Sequence, residues 1–301
     1  MPESSAKQPS YKDLTGHVRK ISDLYFAYGG FSEVFKGTYQ DGSGLQRSVA
    51  IKVIRGTRMT PKIQDVILHR LDREASVWHS LKHPNVLEFL GIARNFGPSV
   101  ALVAPYCANG HATKYLDDYP QANRLHLILG VAKGIEYLHS KNVIHGDIKG
   151  HNVLVADDGT ALLCDFGRSR IINHRGFTTL FAAAVRYLAP ELIVKGAEVP
   201  GIDEEIDESF DPQEFMSKES DVYAFSMVGV EILSGEVPYP KIHNGARIIL
   251  RVPEGLRPKR EEYRLSKLHG KIWDILELCW VNDFTGRPTM IAVVQHLSKL
   301  K

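Results

Sequence analysis

Between Ile21 and about Ala104 the apolar positions fall in short runs rich in β-branched and aromatic residues: Leu24–Tyr28, Glu33–Tyr39, Ser48–Ile54 and Val100–Val103. Runs of that length and composition predict strands. One stretch of helical period interrupts them, with Ile63, Ile67, Leu71, Trp78 and Leu81 recurring every three or four residues and Glu74 on the same stripe. Beyond Tyr106 the pattern inverts. Leu125, Ile128, Leu129, Ala132, Ile135 and Leu138 mark a long amphipathic helix of the kind that dominates the rest of the chain. A small β-rich part therefore precedes a larger helical one. Residues 1–20 carry Ser, Pro and Lys without periodicity and read as a flexible lead-in.

Composition narrows the class. With 301 residues, 44% hydrophobic and 24% charged, the chain is globular rather than collagen-like, disordered or coiled-coil. A formal charge of +2 argues against a general nucleic-acid binder. The three cysteines, Cys107, Cys164 and Cys279, form no C-x-x-C pair, and the opening residues carry no apolar leader. No run of eighteen apolar residues occurs, so a cytoplasmic chain without a membrane span is expected. The thirteen histidines show no recognised ligand spacing. Glu198–Asp211 is acidic and reads as a solvated insertion.

Three constellations carry chemistry. Lys52 stands in the otherwise apolar run Val49–Ile54, where a lone ammonium is costly and calls for a partner. Glu74, a carboxylate on a core-facing stripe, offers one. Val153–Ala156 and Ala161–Cys164 flank the turn Asp157-Asp158-Gly159-Thr160 as the arms of a hairpin. With Asp158 and Gly159 central, Asn152 stands opposite Asp165, and Asp147, five residues earlier, reaches the same mouth. Hard oxygen ligands so gathered suit magnesium carrying phosphates. Ala27-Tyr28-Gly29-Gly30-Phe31-Ser32-Glu33-Val34 joins two strand-like runs, and adjacent glycines let backbone amides approach a phosphate, although by themselves they mark an ordinary turn.

Taken in order, these pieces resemble the eukaryotic protein kinases from about Leu24 to Leu297. Val49-Ala50-Ile51-Lys52 is similar to V-A-I-K, and His145, Asp147 and Asn152 to the catalytic loop. Asp165-Phe166-Gly167 corresponds to D-F-G and Ala189-Pro190-Glu191 to A-P-E. Further matches are His83-Pro84-Asn85, Asp221 at a helix start, and Arg287-Pro288, whose arginine pairs with Glu191 in the family. The run Ser220–Ser226 and the tail Cys279, Trp280, Arg287, Thr289 resemble the tyrosine-kinase-like serine/threonine branch, as does Lys149.

That resemblance implies an α+β bilobal fold: an N-lobe at 21–104, with a small antiparallel sheet and one helix, and a mainly helical C-lobe at 105–301, together one catalytic domain. It implies ATP and Mg2+ as cofactors and serine/threonine acceptors on intracellular signalling proteins as substrates, with no nucleic-acid or membrane partner and the oligomeric state open. Lys52 would hold phosphates while pairing with Glu74, Asn152 and Asp165 would hold magnesium, Asp147 would orient the acceptor hydroxyl, and Lys149 would sit by the transferred phosphate. Nucleotide would be lined by Ala27, Gly29, Gly30, Phe31, Ser32, Val34, Ala50, the gatekeeper Ala104, the hinge Pro105-Tyr106-Cys107, and Leu154. Some positions depart from the pattern. Gly146 replaces the usual arginine, removing a partner for an activation-loop phosphate, and Ala27 and Ser32 replace two loop glycines. Ala183-Ala184 replaces a Gly-Thr whose hydroxyl bridges the catalytic Asp and Lys. Those losses keep a second reading open, a nucleotide-binding pseudokinase with weak or no phosphate transfer.

Overall fold

The computed structural model describes residues 11–28, 32–54, 75–96, 100–165, 185–197 and 216–300. The chain divides into two compact units, Met1–Lys82 with Leu87–Cys107, and His83–Val86 with Ala108–Lys301.

The first unit is an antiparallel sheet of β1 (Val18–Lys20), β2 (Ala27–Tyr28), β3 (Ser32–Gln40), β4 (Gln46–Ile54), β5 (Gly91–Ala93) and β6 (Ala101–Pro105). The order is β1-β3-β4-β6-β5, with β2 also pairing β3. Strand alternation splits the side chains between two faces. Phe35, Val49, Ile51, Val53, Ala101 and Val103 form a buried core with Leu14, Val18 and Ala93. The other face is set by register: Val34 pairs with Lys52 and Lys52 with Leu102, while Lys36 pairs with Ala50 and Ala50 with Ala104.

Three expectations are corrected in this unit. Residues 11–20 belong to the fold, because the Leu14 amide donates to Ile92 O (2.7 Å), the Ile92 amide donates to Lys12 O (3.0 Å), and Tyr11, Leu14 and Val18 are buried. Their apolar side chains are too few to give a period, yet Leu14 and Val18 join the sheet core and Tyr11 meets Phe89 edge-on. The strand expected over Leu24–Tyr28 shrinks to β2. Lys20 pairs with Gly37 and Ala27 with Val34, so the six residues 21–26 face only two on β3 and bulge outward. Leu24 is 82% exposed at the tip. The boundary expected after Ala104 lies after Cys107, for β6 runs through Pro105 and the Tyr106 amide donates to Ser48 O at 3.1 Å. Of the expected helix before Leu81, residues 75–80 are helical, and its earlier part, Glu74 included, lies outside the described residues.

The second unit is built from α1 (Ala112–Asp118), α2 (Arg124–Ser140), α3 (Pro190–Ala197), α4 (Lys218–Ser234), α5 (Gly245–Arg251), α6 (Lys267–Cys279) and α7 (Met290–Ser298), with a hairpin of β7 (Val153–Val155) and β8 (Ala161–Leu163). Local chemistry sets the ends: Asn123, Ser217 and Thr289 cap α2, α4 and α7 by accepting from backbone amides in the first turn. Helix α4 is buried from Ser220 to Leu233, as its nearly unbroken apolar sequence requires, and packs against α2 and α6. Among the described residues no helix is long and apolar enough to cross a membrane.

The hairpin register is one residue away from expectation. Val153 pairs with Leu163 and Val155 with Ala161, so Asn152 stands opposite Cys164, whose amide donates to Asn152 O at 3.0 Å. The cause is the turn. The Gly159 amide donates to Ala156 O, the Ala156 amide donates to Thr160 O, and Gly159 adopts φ 83°, giving a three-residue loop closed by a left-handed glycine rather than a two-residue turn. Asp165 therefore lies one step past the ladder, at φ 63°.

Candidate active site

Each unit presents a separate part of the expected site. On the sheet, Val34, Ala50, Lys52 and Ala104 share the face opposite the core, as strand parity dictates. Lys52 is half-buried there, within an apolar strand. Ser32, on the same face by parity, is buried, and Ala27 pairs with Val34. In the expected hinge, Tyr106 meets Phe26 edge-on with centroids 5.4 Å apart, and Lys36 Nζ lies 4.2 Å from the Tyr106 ring centroid. The nearby Pro105 and Cys107 are half-buried. Gly29, Gly30, Phe31 and Glu74 lie outside the described residues, as do Phe166, Gly167, Ala183, Ala184 and the acidic Glu198–Asp211.

In the second unit, Asp147, Lys149 and Asn152 come together. Lys149 Nζ donates to both Asp147 carboxylate oxygens, at 2.9 and 2.7 Å. Asn152 Nδ2 donates to Asp147 O at 2.7 Å and Oδ2 at 2.9 Å, closing the six-residue turn on itself. Lys149 and Asp147 thus pair directly, each with roughly a fifth of its side chain exposed, where the two charges attract strongly and water still reaches them. A small cavity opens beside them, lined also by Tyr187, Leu188 and Leu192. Leu154, on β7, is half-buried and forms a bridge with His111.

This turn is held from beneath by groups distant in sequence. Asp221, 1% exposed, accepts from the backbone amides of His145 and Gly146 and contacts His139 Nε2, each at 2.9 Å. His145 is fully buried; its Nε2 lies 3.1 Å from Cys164 O, and its Nδ1 accepts from the Asp147 amide at 3.3 Å. The Asp147 turn is thereby tied to the residue before Asp165. Asn85 Nδ2 donates to Ala161 O at 2.9 Å, anchoring His83–Val86 to the hairpin. Arg287 grips Glu191 through two bonds of 2.7 and 2.8 Å, the pair that the family resemblance implies, and its guanidinium lies 5.2 Å from the Tyr223 ring centroid.

Sequence reasoning placed Asp221 at a helix start without its role, and it missed His139 and Glu231. The available signal was an acid inside an apolar helix: a carboxylate buried in α4 needs donors, and backbone amides of a tight loop supply them.

The sequence profile of the protein tyrosine and serine/threonine kinase family matches residues 24–297. The chain is 27% identical to the serine/threonine-protein kinase STY17 of Arabidopsis thaliana, over 91% of this chain and 43% of that protein. It is 28% identical to the RGS domain-containing serine/threonine-protein kinase A of Dictyostelium discoideum, over 97% of this chain and 23% of that protein. A third relative is the mitogen-activated protein kinase kinase kinase 13-A of Xenopus laevis, 31% identical over 69% of this chain and 20% of its own length. The chain spans less than half the length of each of these curated relatives. With a profile match along nearly its whole length and a turn that brings Asp147, Lys149 and Asn152 together, the chain belongs to the protein tyrosine and serine/threonine kinase family.

Proposed function

We propose that this chain transfers the γ-phosphoryl group of ATP to serine or threonine hydroxyls of protein substrates. One observation carries the reading: a carboxylate, Asp147, held on one side by the Lys149 ammonium and on the other by the Asn152 amide, at the edge of a cavity. An acceptor hydroxyl placed at Asp147 is oriented for attack on phosphorus. Its oxygen forms the new P–O bond, its proton passes to the carboxylate, and the bond from the γ-phosphorus to the bridging oxygen breaks to leave ADP. Lys149 offsets negative charge on the phosphoryl oxygens.

The donor set suits a hard cation. Asn152 commits its amide nitrogen to Asp147, which leaves Oδ1 for a metal, and the Asp165 carboxylate adds a second oxygen. Bound magnesium would neutralise phosphate charge. Lys52, Val34, Ala50 and Ala104 share the sheet face assigned to the nucleotide, Lys52 for its phosphates and the others for apolar contact.

The missing Ala184 hydroxyl favours the second reading, a nucleotide-binding scaffold. Phosphate transfer by purified wild-type chain against Asp147→Asn decides. Wild-type turnover faster by about a hundredfold or more is expected for loss of a general base, and equal rates would leave the scaffold.

A further inference from the structure

Helix α4 carries two buried carboxylates on its long apolar surface. Asp221, near its start, binds the amides on the N-terminal side of Asp147. Glu231 lies ten residues on, about 15 Å along the axis at 1.5 Å per residue, and is 2% exposed. Its Oε1 accepts from Thr113 Oγ1 of α1 at 3.0 Å and its Oε2 from the Tyr187 hydroxyl at 2.8 Å. Burial pushes this carboxyl above its ordinary range, while the two hydroxyls and the Gly150 backbone pull it back toward ionisation.

Gly150 follows Lys149 directly. A Cβ built there would stand 2.3 Å from Glu231 Oε2 and 2.6 Å from Oε1. Its backbone does not itself demand glycine, for its φ is not positive. The carboxylate does: any side chain would displace it. Glu231 thus touches the C-terminal flank of the turn whose N-terminal flank Asp221 holds. Through Tyr187 it also reaches the segment that leads into Ala189-Pro190-Glu191, three residues past the alanine that stands for the bridging threonine.

We infer that Glu231 is a positioning residue for phosphate transfer: its carboxylate seats the Gly150 turn and ties it to Tyr187, so that Lys149 and Asn152 stay aligned on Asp147. The rate consequence rests on the proposed kinase activity; the seating itself does not.

The test uses the full chain as Glu231→Ala, Gly150→Ala and the double variant, read by amide hydrogen exchange and by phosphate-transfer kinetics. In Glu231→Ala, exchange is expected to rise by about tenfold or more at both 147–152 and 185–187 together. kcat falls by about tenfold to a hundredfold through misplacement, while the KM for ATP changes by less than about twofold. Gly150→Ala alone reproduces both effects. Added to Glu231→Ala it costs nothing further, because the group it would strike is gone. Unchanged protection at 147–152 in Glu231→Ala, or additive effects of the two substitutions on exchange, would overturn the inference. If Glu231→Ala does not fold, Glu231→Gln, which keeps the volume and one oxygen acceptor, is read the same way, with intermediate exchange expected and wild-type exchange overturning. A wild type no faster than Asp147→Asn removes the kinase activity, and exchange alone then decides the role of Glu231.

Discussion

The two units hold their polar groups in opposite ways. In the sheet, Val34, Ala50 and Lys52 sit half-buried on the face away from the core, and the core forms without them: Phe35, Val49, Ile51 and Val103 pack on the other side. In the helical unit the reverse holds. Asp221 and His145 lie inside the core and at the same time hold the turn around Asp147, while the buried Glu231 binds Thr113 and Tyr187 and the buried Arg287 binds Glu191. Chemistry and stability are separable on a sheet face, where parity sends function one way and packing the other. They are inseparable where a buried carboxylate supplies the partners of a loop.

The largest break with that contrast would come from Asp221→Ala. It strands two buried amides and His139, so we expect a loss of about 3–5 kcal/mol in urea denaturation together with lost turnover. A variant that keeps its stability but loses turnover would show the helical unit to be as separable as the sheet. Next is Lys52→Ala. Turnover should drop by about a hundredfold or more through lost phosphate stabilisation, with the thermal midpoint within a few degrees of wild type. A collapse in stability would mean that the sheet face, too, carries the fold.

A smaller effect sharpens the sheet side. Ala104 is 5% exposed and pairs with Ala50. Ala104→Phe should weaken bulky ATP-site ligands by about tenfold or more, since overpacking costs about 1–3 kcal/mol, and calorimetric titration with such a ligand reads it directly. The smallest effect is a pH dependence in the helical unit. His111 Nδ1 accepts from the Lys114 amide at the start of α1, and its ring lies 4.5 Å from that of His151. Burial, then the His151 and Lys114 charges, lower its pKa from 6.5 against the pull of Asp117. The unfolded chain then takes up the proton first, so the contribution is intact above pH 6.5 and fades as pH falls below it. Thermal midpoints across that range should flatten in His111→Asn, which caps without titrating; an unchanged slope would remove His111 from the account.

What could be read from the sequence follows the same division. Strands β3, β4 and β6 were visible because their runs of β-branched and apolar residues are local, whereas the grouping of Val34, Ala50 and Ala104 with Lys52 came from the family resemblance and their shared face only from the register. Asp147 and Asn152 were visible because they lie within six residues, and Lys149 between them was expected from the family resemblance. The Asp221 clasp was not, for its partners are 75 and 76 residues away and no spacing announces them. The hairpin register slipped by one because Gly159 can close either a two- or a three-residue loop, and only the backbone decides. The bulge at 21–26 was hidden by its own side chains, since Leu24, Tyr25 and Phe26 have strand composition yet are exposed.

The excursion of His83–Val86 into the helical unit also bears on how the protein is made. Asn85 waits for Ala161, 76 residues downstream, before its amide finds an acceptor. At roughly 5–20 residues per second on the ribosome, that is a delay of about 4–15 s. Through that interval the first unit can pair β1 to β6, but the tether between β5 and the helical turns at 75–80 hangs unfinished. A nascent chain paused between Cys107 and Ala161 should therefore be cleaved by a protease near His83 and become resistant only once the hairpin has emerged.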